Sequence, residues 1–236
     1  MPLSTYLLFL IGPLLLGLWA QYRVRSALAQ AKAVPASSGL SGAEVAQEIC
    51  RAHGINDVRV EPTQGFLSDH YDPSTKTLRL SPDIYEGRSV AALGIAAHEA
   101  GHALQHAEHY GPLVLRNAIV PLATAGSYAA NFAIIGGMVM MALIGPKLGM
   151  TMLLVGVVGL VLVAFFQLVT LPVEFDASRR AKDILVSTGL VLPGQEATAM
   201  CGVLDAAALT YIAALVSTIS TILYYLLLIS GASRRD

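Results

Sequence analysis

The chain has 236 residues, of which 55% are apolar and only 13% charged, and its net charge is -1 at neutral pH. Soluble proteins carry roughly 25% charged residues, so this composition excludes an ordinary soluble globular domain, and the near-neutral balance gives no reason to expect nucleic acid as a partner. Asp, Glu, Lys and Arg are missing from Met1 to Tyr22, from Asn117 to Pro146, from Leu148 to Val173 and from Ala206 to Ser233. Each stretch reaches the roughly 20 residues a helix needs to cross a bilayer, so the expected class is an α-helical integral membrane protein with about four transmembrane helices.

In chain order, residues 1–22 form the first span. Its leading residues, Met1 to Thr5, lack a basic side chain, and Arg23 and Arg25 follow the apolar run. That pattern predicts an uncleaved anchor rather than a secretory signal. Ala33 to Ser41, rich in Pro, Ser, Gly and Ala, reads as a linker. Ser41 is placed to cap a helix running to about His53, with Glu44 completing a capping box. Asp57 to Glu61 alternates polar and apolar residues as a short strand does. Two further strand-like runs, Gly65 to Ser68 and Lys76 to Leu80, are separated by Asp72-Pro-Ser-Thr75, which predicts a β-hairpin closed by Ser81-Pro-Asp83. The edge from Lys76 to Leu80 is available to pair with an extended substrate strand, or is ordinary sheet.

A long helix is expected from about Ser89 to Tyr110. Two apolar spans then form a hairpin around Ile144-Gly-Pro-Lys-Leu-Gly149, and the second runs into Leu171-Pro-Val-Glu-Phe-Asp176, with Pro172 suited to the first turn of a new helix. The organisation expected is therefore an anchor (1–22), a polar domain (23–116), a two-span hairpin (117–173), a helix and connector (174–206) and a last span (207–230). So small a polar domain would be marginal alone and is expected to lean on the spans. Glycines at 126, 136, 137, 145, 149, 156 and 159 permit close helix packing, within the chain or between copies. Cys50 and Cys201 have no ligand-like spacing and read as buried apolar residues of a reducing compartment.

Basic residues gather on the cytoplasmic side of a membrane. Arg23, Arg25, Lys32 and Arg116 flank the first two spans and Arg179, Arg180 and Lys182 follow the third, whereas the loop between the second and third has only Lys147. The N-terminus is thus expected outside and residues 23 to 116 in the cytoplasm. Arg234 and Arg235 run against this orientation.

Residues 98 to 102 read His-Glu-Ala-Gly-His. On a helix His98 and His102 lie one turn apart on one face, where two imidazoles can hold one metal ion, and Glu99 sits beside them as a candidate general base. A catalytic zinc site commonly has three protein ligands. Glu174, at the membrane exit of the third span, is the preferred third. Asp176 points about 200° away on the same helix and suits a hydrogen bond or salt bridge instead. His106 continues the histidine face, but three ligands on one straight helix spread over about 12 Å, so His106, like His109, is expected to be solvated or to support the site from outside.

The segments Phe66-Leu-Ser-Asp-His-Tyr-Asp-Pro73, His98-Glu-Ala-Gly-His-Ala-Leu-Gln105 and Val173-Glu-Phe-Asp-Ala-Ser-Arg-Arg180 resemble the bacterial membrane-bound neutral zinc metallopeptidases over most of the chain. More distantly, the plan is similar to the heat-shock membrane protease and prenyl-protein endoprotease group. The resemblance implies a small α+β zincin-like catalytic domain, one Zn2+ held by His98, His102 and Glu174, and peptide hydrolysis by zinc-activated water with Glu99 as general base. The distant group usually has an Asp four residues after the Glu ligand. Ser178 stands there in this chain, with Asp176 two residues earlier, which leaves the orienting partner open. Arg180, His70 and Tyr211 are candidate oxyanion donors.

The expected substrate is a peptide or membrane protein, and the expected place is the bacterial inner membrane with the catalytic domain facing the cytoplasm. Two other readings are an intramembrane zinc protease with Asp205 as third ligand and a membrane scaffold or chaperone with a structural zinc. Substrate identity and oligomeric state are not legible.

Overall fold

The computed structural model describes residues 3–65 and 68–232. Phe66 and Leu67, within the first of the two expected hairpin runs, and Arg234 and Arg235 lie outside the described residues. In chain order the elements are α1 (Leu3–Lys32), α2 (Gly42–Ala52), β1 (Arg59–Pro62), β2 (His70–Asp72), β3 (Thr77–Leu80), α3 (Pro82–Tyr85), α4 (Val90–Ala107), α5 (Gly111–Leu143), α6 (Pro146–Ser187) and α7 (Gln195–Ala232). Among the described residues α1, α5, α6 and α7 are long and apolar enough to cross a membrane. The chain divides into two units. One comprises the described residues up to Trp19, Leu115–Leu171 and those from Thr210 onward; the other comprises Ala20–Val114 and Pro172–Leu209.

In the first unit, glycines bring α5 and α6 together. A methyl group on Gly159 would lie 2.5 Å from the Gly126 carbonyl oxygen, and one on Gly149 2.7 Å from that of Gly137. Real Cβ atoms do not approach so closely, so these glycines are spent on a seam within the chain.

The second unit is built around α4. This helix starts where the Ser89 side chain accepts a hydrogen bond from the Ala92 N–H. Small apolar residues surround it: Val90, Ala91, Ala92, Leu93, Ala96, Ala97 and Ala100 are fully buried. A helix apolar on nearly every side belongs in an interior. α2 packs against it through Val45, Ala46, Ile49 and Cys50. At its start the expected capping box is present, with the Ser41 hydroxyl accepting from the Glu44 N–H and Glu44 accepting from the Ser41 N–H. These hydrogen bonds hold the Glu44 carboxyl below its usual range.

The sheet has the order β1-β3-β2, with β1 parallel and β2 antiparallel to β3. The Lys76–Leu80 run is therefore the central strand. Both its edges are paired, so of the two readings of this run the ordinary-sheet one holds and it has no free edge to offer a substrate. A hairpin is present, and among the described residues its first strand is His70–Asp72. Asp72 opens its turn, where the sequence reading put it. Its carboxylate accepts from the Ser74 N–H and hydroxyl, from Thr75 and from Arg79, which makes the turn start at Asp72. The same bonds, led by Ser74 and Thr75, keep its pKa well below the ordinary carboxylate range. Asp69 accepts from both the N–H and the hydroxyl of Ser81, so it ties the hairpin to the start of α3.

A second departure is Pro172, which lies inside α6 rather than at the start of a new helix. An interior proline costs about 3 kcal/mol. The offset is a fully buried stripe at four-residue spacing, Val173, Ala177, Ala181 and Leu185, whose burial needs an unbroken helix. That continuity carries the chain from the third apolar run directly to the site.

Candidate metal centre

Two helices of the second unit, α4 and the C-terminal part of α6, each present residues at four-residue spacing. From α4 come His98 and His102; from α6 come Glu174 and Ser178. The helices meet closely because α4 has a glycine at the crossing. A Cβ on Gly101 would lie 2.9 Å from the Ala177 carbonyl oxygen and 3.2 Å from its Cα. Only glycine lets the histidine face reach Glu174.

His98 Nε2 lies 3.3 Å from Glu174 Oε2, and His102 Nε2 lies 3.6 Å from the same oxygen. One ligand atom from each of these three residues falls within 4.8 Å of the others. Tetrahedral zinc with bonds of about 2.0–2.1 Å would hold its ligands about 3.3 Å apart, so the spacing fits such an ion. The donor set, two imidazole nitrogens and one carboxylate, fits it as well. Glu174 is 2% exposed. A carboxylate buried this deeply needs a cationic or hydrogen-bonding environment, and a metal ion provides one.

The charge at the site also favours a cation. Burial opposes protonation of His102, but Glu174 and the nearby charge of Glu99 outweigh it, and the His102 pKa is raised. A site that draws a proton onto a buried imidazole is electronegative, and a divalent ion competes for the same place. Glu99 follows His98 on α4 and is buried, but it does not belong to the ligand group.

The outer nitrogens of the histidines are both engaged. His98 Nδ1 meets the Ser178 hydroxyl at 3.1 Å. His98 is therefore gripped at both ends by one face of α6, with Glu174 at one nitrogen and Ser178 at the other. His102 Nδ1 meets Gln105 Oε1 at 3.0 Å. The Gln105 amide in turn donates to the Val173 carbonyl at 2.8 Å and to Asp176 Oδ2 at 3.0 Å. Gln105 is the functional residue that sequence reading missed. Its signal was the three-residue spacing from His102, which puts it on the histidine face, but its partners on α6 are 68 and 71 residues away.

The other expected residues are placed as follows. Asp176 is not in the ligand group; it accepts from Gln105, Arg179 and Arg180. Arg180 bridges α6 to the end of α4, bonding Asp176 at 2.6 Å and both oxygens of Glu108 at 2.9 and 2.8 Å. Its guanidinium is thus occupied as a strut, and none of these bonds reaches the ligand group. His70 is exposed on β2 and bonds the Ser68 carbonyl. Asp205 is exposed and pairs with Lys182, outside the three-residue group, so the structure gives no support to a third ligand there. Tyr211 lies on α7 in the other unit. His106 meets the Tyr71 hydroxyl at 2.9 Å. Burial pushes that phenol up to about 12, so it remains protonated and can donate, fastening β2 to the end of α4. Cys50 is buried and Cys201 partly so, and both are free thiols.

With this geometry established, comparison with known proteins bears on what it is for. Residues 6–230 match the family described as "Putative neutral zinc metallopeptidase". The chain belongs to this family. It is also 44% identical over 227 residues to the "Putative membrane protease YugP" of Bacillus subtilis (strain 168), covering 96% of this chain and 97% of that protein. No solved structure matches the chain. The family match spans both arms of the site, the α4 histidines and the α6 carboxylate, together with all four long apolar helices.

Proposed function

We propose that the chain is a membrane-integrated zinc endopeptidase that hydrolyses peptide bonds, with one zinc ion held by His98, His102 and Glu174 and with Glu99 as general base. The observation that carries this reading is the convergence of those three donors, from two helices, beside a buried carboxylate that is not itself a ligand. The family description and the name of the Bacillus relative support it.

When bound, zinc supplies Lewis-acid chemistry, acidifying a water and polarising a carbonyl oxygen. The residues of the chain do the rest. Glu99 takes one proton from the attacking water as its oxygen bonds to the scissile carbonyl carbon. It then delivers that proton to the amide nitrogen as the C–N bond breaks, so the products are a carboxylic acid and an amine. Ser178 and Gln105 keep the two imidazoles turned toward the shared oxygen of Glu174.

The substrate class follows from position in the chain. Glu174 comes directly after the uncharged run that ends at Val173. Peptide segments of membrane proteins near the bilayer surface are therefore the proposed substrates. The decisive experiment uses the full chain in detergent or vesicles. One zinc per chain is expected, with cleavage of a membrane-inserted peptide that stops on chelation and returns on adding zinc. A chain that takes up no zinc, or cleavage indifferent to chelation, would sink the proposal.

The second unit is proposed to face the cytoplasm, because Arg23, Arg25, Lys32, Arg179, Arg180 and Lys182 all belong to it. Lys147→Cys should then react with a membrane-impermeant thiol reagent in intact cells. Glu48→Cys should react only after permeabilisation. The reverse pattern would invert the orientation.

A further inference from the structure

We propose that Gln105 is a positioning residue that keeps a proton on Nδ1 of His102, so that Nε2 is the nitrogen that gives up its proton and offers a lone pair to a metal ion. The inference deepens the metal-site reading and rests on it.

Gln105 has no exposed surface, and both ends of its amide are used. A glutamine amide has an accepting oxygen and a donating nitrogen, and the two ends are told apart by their partners. Here the partners decide. The Val173 carbonyl can only accept. Asp176 is a carboxylate that also accepts from Arg179 and Arg180, so it too faces Gln105 as an acceptor. The amide nitrogen must point at these two groups, because the opposite orientation would set oxygen against oxygen twice in a buried place. The amide oxygen is then left facing His102 Nδ1 at 3.0 Å. An acceptor there holds a proton on Nδ1, so although Nε2 faces the Glu174 carboxylate at 3.6 Å, Nε2 is the nitrogen free to give up its proton and bind a metal ion.

His98 is held differently. Its Nδ1 faces the Ser178 hydroxyl, which can either donate or accept. Ser178 orients that ring without choosing its tautomer. The two histidines are therefore unequal: Nδ1 of His102 has a partner that can only accept, and Nδ1 of His98 does not. The chain that sets His102 runs from Glu108 through Arg180 and Asp176 to Gln105, so it crosses between α4 and α6 twice.

The test compares two variants of the full chain in detergent, with zinc as the probe. Gln105→Leu removes the acceptor at His102. Gln105→Glu keeps an acceptor there but sets a second carboxylate against Asp176 and the Val173 carbonyl. If Gln105 acts through His102, zinc affinity falls about 10- to 100-fold in Gln105→Leu. It falls less in Gln105→Glu, although that variant has the lower melting temperature. A purely structural role predicts one ranking for both quantities, with Glu the worse in each, and that result overturns the inference. Unchanged zinc affinity in Gln105→Leu overturns it as well. Nitrogen-15 NMR of the metal-free wild type at alkaline pH gives a reading that needs no variant. A proton on Nδ1 of His102 is expected, and a neutral ring protonated on Nε2 alone overturns the inference. Wild-type protein that binds no zinc overturns the metal-site reading and this inference together, whereas zinc-binding wild type with an indifferent Gln105→Leu overturns this inference alone.

Discussion

Glu99→Gln is expected to abolish peptide hydrolysis while leaving the chain folded and loaded with zinc. The substitution preserves side-chain volume, and Glu99 is outside the group of three ligand residues, so neither packing nor metal content should change. What it removes is a proton acceptor at a buried position next to His98. General-base catalysis by a positioned carboxylate is worth roughly 10²- to 10⁴-fold in rate, and a loss of at least that size is expected. Metal analysis and a proteolysis assay on the same preparation make the check. Activity within about tenfold of wild type would remove Glu99 from the mechanism and shift weight to the scaffold reading. Loss of zinc in this variant would mean instead that Glu99 takes part in holding the ion.

Glu174→Ala is expected to act one step earlier, at metal binding. It leaves two imidazoles where the structure brings three donors together. Zinc affinity should fall by more than the roughly 10- to 100-fold that residues outside the ligand set are worth, and activity should go with it. Stability offers a second measurement. An ion that binds only the folded state stabilises it by about 4 kcal/mol when present at 1,000 times its dissociation constant. Wild-type chain should therefore melt at a higher temperature with zinc than after chelation, and Glu174→Ala should melt alike in both conditions. A variant that keeps full zinc would transfer the third-ligand role to another residue.

The two variants separate stages of one chemistry. In Glu99→Gln the ion stays and the proton has nowhere to go; in Glu174→Ala the ion itself is lost. Asp205, the other carboxylate considered as a third ligand, is paired with Lys182 and is outside the three-residue group.

What the sequence determined by itself is what depends on neighbours along the chain. Charge-free runs long enough for a bilayer marked α1, α5, α6 and α7. The capping box at Ser41 and the cap at Ser89 placed two helix starts, because an orphan N–H and a hydroxyl three residues away meet whatever the rest of the fold does. The four-residue spacing of His98 and His102 put them on one face for the same reason. Tertiary structure alone decided the rest. That Glu174 and not Asp205 comes to the histidines depends on α6 running unbroken through Pro172. It also depends on Gly101 letting α4 reach Ala177. That β3 is central depends on β1 pairing in parallel across an intervening strand. The roles of Ser178 and Gln105 depend on contacts between residues 68 to 80 positions apart. Helix geometry sets where a side chain points on its own helix, but not which buried partner it meets; that is settled by close packing, and here by the room that one glycine leaves.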